Sequence, residues 1–195
     1  MLGSGLYAPA VVTMSSAVTP CSNEHFHSLR NLFTAYRLRV ERVTDGSGIP
    51  GSYWGDSEAG LIGDALFLRS DTPLHSALHE ACHYICMDEV RRAALHTDAG
   101  GDVPEENAVC YLQGLLADAL PGYDRNTLFA DMDAWGYSFR LGSARSWFEQ
   151  DAEDAVAWLR QYGLVNRRIM PTWAVRQQKS AKNAKPIKSA EILRY

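Results

Sequence analysis

The chain has 195 residues, of which 46% are hydrophobic and 22% are charged, as is typical of a globular domain with a real core. Its formal net charge of −4 gives no general reason to expect a nucleic acid or an anionic membrane as a partner. No hydrophobic run approaches the length of a membrane span, and the chain carries no Lys or Arg before Arg30, so we expect neither a membrane anchor nor a secretory signal.

Four cysteines are present, at positions 21, 82, 86 and 110, and their spacing does not form a disulfide framework. Cys82 and Cys86 stand four apart on a predicted helix, which is too far for an unstrained disulfide. Free thiols are typical of a reducing compartment, so the sequence predicts a cytoplasmic protein.

Composition divides the chain into three parts. Residues 1–22 are rich in Gly, Ala, Ser, Thr and Pro and are expected to be loosely ordered. Residues 23–172 carry the periodic hydrophobic patterns and are predicted to form one α+β domain, mostly helical, with a small sheet. Residues 173–195 form a basic tail that we expect to be flexible, with six basic residues and one acidic residue from Arg176 onward. Such a tail leaves nucleic acid open as a partner but is more often a solubilising end.

The first elements are predicted from hydrophobic spacing and from turn residues. Residues 23–43 show a helical repeat of large hydrophobic side chains, namely Phe26, Leu29, Leu32, Phe33, Tyr36 and Val40. Residues 44–60 are rich in Gly and form a loop. Residues 61–69 then predict one or two short strands, with a possible tight turn at Gly63 and Asp64.

The central motif is His-Glu-Ala-Cys-His at residues 79–83, within a helix predicted over residues 73–95. His79 and His83 are four apart and therefore lie on the same side of a helix, where both imidazoles can bind one zinc ion. Glu80 is placed to accept a proton from a water molecule at the metal's open position.

A catalytic zinc site needs a third protein ligand and one position left for water. Cys86 and His75 fail on reach, because residues seven apart on one helix are separated by about 10 Å along the axis. In the short metzincin-type pattern the third ligand is a histidine six residues after the second one. Glu89 stands at that position here, so this pattern is excluded. A carboxylate from the next predicted helix, residues 103–120, remains, with His96, Asp98 and Asp102 as weaker loop alternatives.

The start of that helix reads Pro-Glu-Glu-Asn-Ala-Val-Cys over residues 104–110. Together with the His-Glu-x-x-His motif, it resembles the gluzincins, the thermolysin-like division of the zincin metallopeptidases, over about 40 residues from Thr72 to Cys110. The resemblance makes Glu105 the expected third ligand, with a small residue at Ala108 that lets the helices approach. A capping interaction between Asp102 and Glu105 would instead give the ligand role to Glu106.

The chain departs from the gluzincin pattern on either side of this glutamate. Gluzincins often have Asn before the ligand and Asp four residues after it, where this sequence has Pro104 and Val109. The groups that orient the histidines must therefore come from elsewhere.

Residues 143–162 predict a third long helix with an acidic, solvated face, and residues 123–142 give no clear pattern.

The resemblance implies a zinc-dependent peptidase that acts on a peptide or protein substrate, with Glu80 as the general base. A further group should stabilise the oxyanion, and the sequence offers four candidates, namely His96, Tyr111, Tyr123 and Tyr137. Three alternatives stay open: a zinc-binding interaction or regulatory module without catalysis, a zinc hydrolase acting on a non-peptide amide, and a domain without metal.

Overall fold

Helices dominate the part of the chain that the computed structural model describes, which comprises residues 18–53, 55 and 57–177. Seven helices lie in these ranges: α1 (Asn23–Thr34), α2 (Leu74–Cys86), α3 (Glu89–Ala93), α4 (Val103–Ala117), α5 (Arg125–Trp135), α6 (Ala144–Gln150) and α7 (Glu153–Gln161). Three strands accompany them: β1 (Arg39–Arg42), β2 (Gly60–Ile62) and β3 (Ala65–Leu68). The fold is α+β and mostly helical, as the sequence predicts.

The three strands form one small mixed sheet in the order β1-β3-β2. β2 and β3 form an antiparallel hairpin around Gly63, whose φ of +57° suits glycine, and this confirms the predicted turn. The outer edge of β2 is already paired: the Leu61 N–H donates to the Gly51 carbonyl, and the Leu61 carbonyl accepts from the Thr97 N–H. Both backbone groups of this edge residue are therefore satisfied within the chain.

Helix α2 lies at the centre of the domain and packs against the sheet on one side and against α4 on another. Its hydrophobic residues are almost completely buried, with Leu74, Leu78 and Ile85 all at 0% exposure. A helix that is hydrophobic on most sides belongs in a core. Each such leucine contributes about 1.5–3 kcal/mol through burial, so the helix that carries the two motif histidines is held firmly.

The first two predicted helices end well before the pattern indicates. The helix expected over residues 23–43 ends at Thr34, and Arg37 adopts a left-handed φ of +59°. Tyr36, Leu38 and Val40 are buried at every second position, which is the period of a strand, and β1 begins within this stretch at Arg39. The helix expected over residues 73–95 stops at Cys86.

Local capping explains the break after α2. Met87 has an extended backbone with ψ of 152°, and the Asp88 carboxylate accepts the Arg91 N–H as the N-cap of the short helix α3. The helix expected over residues 143–162 is likewise divided, into α6 and α7, at Asp151 and its neighbour Ala152. The Asp151 carboxylate is held there by Arg140.

Both ends of the described chain are attached to the domain. Thr19, in the segment expected to be loosely ordered, accepts the Leu74 N–H at its carbonyl and donates its own N–H to Asp131. At the other end, in the segment expected to be flexible, the Arg176 N–H donates to the Ile85 carbonyl of α2. Residues 1–17 and 178–195 of the two predicted terminal segments lie outside the described residues. No described helix has the length and hydrophobicity needed to span a membrane.

Candidate metal site

The motif histidines and one carboxylate of α4 converge at the contact between α2 and α4. His79 Nε2 and His83 Nε2 face each other at 3.1 Å, and Glu106 Oε2 lies 3.5 Å from His83 Nε2. Each of the three residues has a ligand atom within 4.8 Å of the other two. This is the only such cluster of three or more His, Cys, Asp or Glu side chains in the described part of the chain.

These distances fit a small tetrahedral metal ion. With bonds of about 2.0–2.1 Å, the donor atoms of a tetrahedral zinc site lie about 3.3 Å apart. The two measured separations, 3.1 Å and 3.5 Å, lie on either side of that value. Two imidazole nitrogens and one carboxylate oxygen are also a donor set that catalytic zinc sites use. The residues present therefore fit zinc.

Glu105, the expected third ligand, lies outside this cluster, and Glu106 is the glutamate placed beside the histidines. The Glu105 carboxylate binds two guanidinium groups instead, with Arg91 at 2.6 Å and Arg176 at 2.8 Å. The Asp102 side chain also accepts the Glu105 N–H, which is the capping arrangement that favours Glu106 as the ligand. Successive residues on a helix are rotated by about 100°, so only one of the two glutamates can face the histidines.

The backbone before α4 orients the Glu106 carboxylate. Its Oε1 accepts the N–H of Gly101 at 2.9 Å, which leaves Oε2 for the histidine side of the site. A hydrogen bond to a ligand's second oxygen fixes the direction of the first.

The Gln113 amide contacts the His79 ring from inside the core. Its Oε1 lies 3.4 Å from His79 Nδ1, and its Nε2 donates to the His75 carbonyl at 2.7 Å, which fixes the direction of the amide. Gln113 is completely buried. A metal-binding histidine commonly donates its second ring N–H to such an acceptor, which keeps Nε2 free of its proton for the metal. Gln113 therefore gives His79 a polar partner at Nδ1, in the place of the orienting group that the sequence did not identify.

Burial keeps both histidines neutral at physiological pH. It lowers the pKa of His83 to about 4, with a smaller contribution from the Arg91 guanidinium, and it lowers the pKa of His79 as well. The neutral imidazole is the form that binds a metal, so neither ring has to lose a second proton at pH 7.

No protein-family model, no curated protein and no solved structure matches this chain. The geometry of the site is therefore the basis for any functional conclusion.

Glu80 faces a cavity of about 360 Å³ that opens beside His79 and His83. Burial, together with the nearby carboxylates of Glu58 and Glu106, raises the pKa of Glu80 to about 8. A divalent cation at the donor cluster would favour the carboxylate and lower this pKa again. Without a cation the Glu80 carboxyl is therefore mostly protonated at pH 7, and a bound cation would favour the carboxylate form that can accept a proton.

Among the four candidate oxyanion donors, only Tyr137 lines this cavity. Its ring centroid lies 5.7 Å from that of His79. Burial, and then the nearby Cys110 and Glu80, raises the pKa of the Tyr137 phenol well above its usual range, so its hydroxyl stays protonated and can donate. The other candidates are placed elsewhere: Tyr111 stacks on Phe148, Tyr123 donates to Asp131, and His96 is exposed beside β2.

The loop alternatives for the third ligand are also separate from the cluster. Asp102 caps α4, and Asp98 lines the cavity but accepts the Gly100 N–H.

Sequence reasoning missed Gln113, although its spacing from Glu106 is informative: residues seven apart on a helix share a face. It also missed the cavity residues His75, Glu58 and Trp135, which come from three different segments and share no sequence pattern.

Proposed function

We propose that this protein is a zinc-dependent hydrolase that cleaves amide bonds, with peptides as the substrate class. The observation that carries the proposal is the convergence of His79 Nε2, His83 Nε2 and Glu106 Oε2 at tetrahedral spacing beside Glu80. A site built from two histidines and one carboxylate leaves one metal position for water or substrate.

When bound, zinc would supply a Lewis acid that lowers the pKa of water toward 7 and polarises a carbonyl oxygen. Glu80 would accept the proton that the attacking water loses and then transfer it to the leaving amine. The Tyr137 hydroxyl, across the cavity, would donate a hydrogen bond to the oxygen on which negative charge develops. Gln113 and the Gly101 N–H would keep His79 and Glu106 oriented throughout.

The paired outer edge of β2 constrains how a substrate arrives. An extended peptide often binds by adding a strand to a free sheet edge. Here both backbone groups of Leu61 are already bonded within the chain, so β2 offers no such pairing at that residue. We therefore propose that a short peptide segment enters through the cavity.

The four cysteines are free thiols, which supports a cytoplasmic location for this activity.

The test is cleavage of a mixed peptide library by the zinc-loaded protein, with a chelator control and the Glu80→Gln variant. We expect cleavage that the chelator abolishes and that zinc restores. Glu80→Gln should retain zinc but lose about 100-fold or more in rate, because it removes the proton acceptor without touching a ligand. Zinc binding without any peptide cleavage would exclude the peptidase and leave the non-catalytic module or a hydrolase of non-peptide amides, and full activity of Glu80→Gln would exclude this mechanism.

A further inference from the structure

A second cavity, of about 600 Å³, lies between helix α1 and strand β1. Residues 37–42 line it along the strand, and Phe26, Arg30 and Thr34 line it from α1. We call this cavity the β1 groove. None of these residues lines the cavity beside the donor cluster, so the proposed hydrolysis leaves the β1 groove without a role.

One wall of the β1 groove is an outer edge of the sheet. β1 pairs with β3 on one side, and no other described strand lies beside it. The Arg39 N–H and the Val43 N–H both donate toward β3. Backbone groups alternate in direction along a strand, so those of Val40 and Arg42 point to the outer edge. An edge of this kind can take up an added strand.

The side chains around this edge carry a positive charge. Four of the nine described lining residues are arginines, and Glu41 is the single acidic residue among them. Arg39 forms ion pairs with Glu41 and with Asp64. Arg30 and Arg37 are exposed and form no ion pair with a described residue. Their charges are therefore available to a partner.

Arg42 adds a third such charge on the side of the strand that faces α1. Its guanidinium lies 5.4 Å from the centroid of the Phe26 ring and donates to the amide oxygen of Asn23, which is a neutral partner. The Asp45 carboxylate interacts with Arg42 through space but is hydrogen-bonded to Ser70 instead. Arg42 therefore also lacks a carboxylate in direct contact.

We propose that the β1 groove binds an extended acidic segment of another protein, which pairs with the outer edge of β1 as an added strand. Backbone hydrogen bonds to Val40 and Arg42 give the pairing. Carboxylates of the segment then meet the unpaired guanidinium groups, since alternate side chains of a strand share one face. The inference is independent of the proposed function.

Other occupants fit this charge less well. A second copy of β1 would bring arginines against arginines, and like charges along an edge oppose such pairing. The chain's own terminal segments do not supply the acidic residues: residues 1–17 contain no Asp or Glu, and residues 178–195 contain five basic residues and one acidic residue.

The test is fluorescence anisotropy of two short labelled peptides with the full chain. The acidic probe alternates valine and glutamate, and the neutral probe has glutamine in place of each glutamate. We expect the acidic probe to bind about 10-fold more tightly, because each of three exposed ion pairs contributes a factor of roughly 1.5–5.

Amide hydrogen exchange, followed by NMR, tests the strand pairing itself. The N–H groups of Val40 and Arg42 should exchange about 10-fold more slowly when the acidic probe is bound, because they gain hydrogen-bond partners. The Arg39 N–H already donates toward β3 and should change little. A contact through the side chains alone would not protect the two outer N–H groups.

Variants test the role of the arginines. Arg30→Gln and Arg37→Gln should each reduce the preference for the acidic probe by a factor of roughly 1.5–5, and the double variant should lose most of it. Arg168→Gln removes an exposed arginine outside the β1 groove and should leave the preference unchanged. Thermal unfolding of each variant verifies that it is folded.

Equal binding of the two probes, binding of neither, an unchanged preference in the double variant, or unchanged exchange at Val40 and Arg42 would overturn the inference. A single-stranded oligothymidylate is the remaining comparison. If it binds more tightly than the acidic probe and depends on Arg30 and Arg37, the groove is a nucleic-acid site and the inference is wrong. None of these measurements needs zinc or turnover, so their outcome is separate from that of the cleavage assay.

Discussion

At the scale of single residues, adjacent side chains at the start of α4 have different roles. Glu106 faces the histidines, while Glu105 is buried between Arg91 and Arg176. The rotation of about 100° between successive helical residues separates them. A carboxylate with two guanidinium partners is a structural anion, and a carboxylate with one backbone N–H and a nearby imidazole is free to bind a metal.

Gln113 gives the first prediction at this scale. Gln113→Leu keeps most of the side-chain volume but removes the acceptor for His79 Nδ1 and the donor to the His75 carbonyl. We expect zinc affinity to fall about 10–100-fold, the usual effect of losing the partner that orients a ligand. Competition with a coloured zinc chelator measures this change.

Gln150→Leu is the matched control, because Gln150 is exposed on α6, away from the site. It should bind zinc like the wild type. Unchanged zinc affinity in a folded Gln113→Leu variant would show that His79 does not depend on this hydrogen bond.

The sequence could predict His79, His83 and Glu80 because all three depend only on spacing within one helix. It could not decide between Glu105 and Glu106, since the answer lies with Arg176, which is 71 positions away from Glu105. The resemblance to gluzincins favoured Glu105. The alternative based on Asp102 as an N-cap pointed to Glu106, and the observed cap agrees with it.

At the scale of elements, the sequence predicted which helices and strands form more accurately than the residues at which they end. The β2–β3 hairpin and the start of α4 follow directly from the turn and capping residues. The ends of α1 and α2 depend on local events that the hydrophobic pattern does not record, namely the left-handed backbone at Arg37 and the Asp88 cap. Helix α5 was missed because only one side of it is buried and its pattern is weak.

The two elements that form the site differ in how they are stabilised. Helix α2 is fixed by burial of its hydrophobic residues in the core, which places the histidines in a well-packed environment. The N-terminus of α4 is fixed by polar contacts, namely the Asp102 cap and the ion pairs of Glu105. The position of Glu106 therefore depends on electrostatics more than the histidines do.

At the scale of the whole molecule, Arg176 in the C-terminal segment contacts both helices of the site, α2 and α4. The Arg176 guanidinium donates to Glu105 on α4 and to the Cys86 carbonyl on α2, and it lies over the ring of Tyr162, 4.1 Å from its centroid. The side chains of the ion pair are only 17% and 5% exposed. A charge-assisted hydrogen bond in such surroundings is much stronger than one at the surface.

This contact gives a prediction about stability. Glu105→Gln and Arg176→Gln should each lower the free energy of unfolding by about 2–3 kcal/mol, because each removes one charged partner of a largely buried group. The double variant should lose less than the sum of the two, with a coupling of about 1–3 kcal/mol. Urea unfolding of the four proteins measures the cycle.

Arg168→Gln is the control for the loss of an arginine, since Arg168 is exposed. It should change the free energy of unfolding by less than about 0.5 kcal/mol. Additive effects of the Glu105 and Arg176 substitutions would mean that the ion pair does not hold the C-terminal segment to the site helices.

The central claim is that His79, His83 and Glu106 together bind one zinc ion. The most direct measurement is zinc content per chain, after equilibration with limiting zinc, for the wild type, Glu106→Gln and Glu105→Gln. We predict about one zinc ion per chain in the wild type and in Glu105→Gln, and a large loss in Glu106→Gln. Full zinc content in Glu106→Gln, or none in the wild type, would contradict the account.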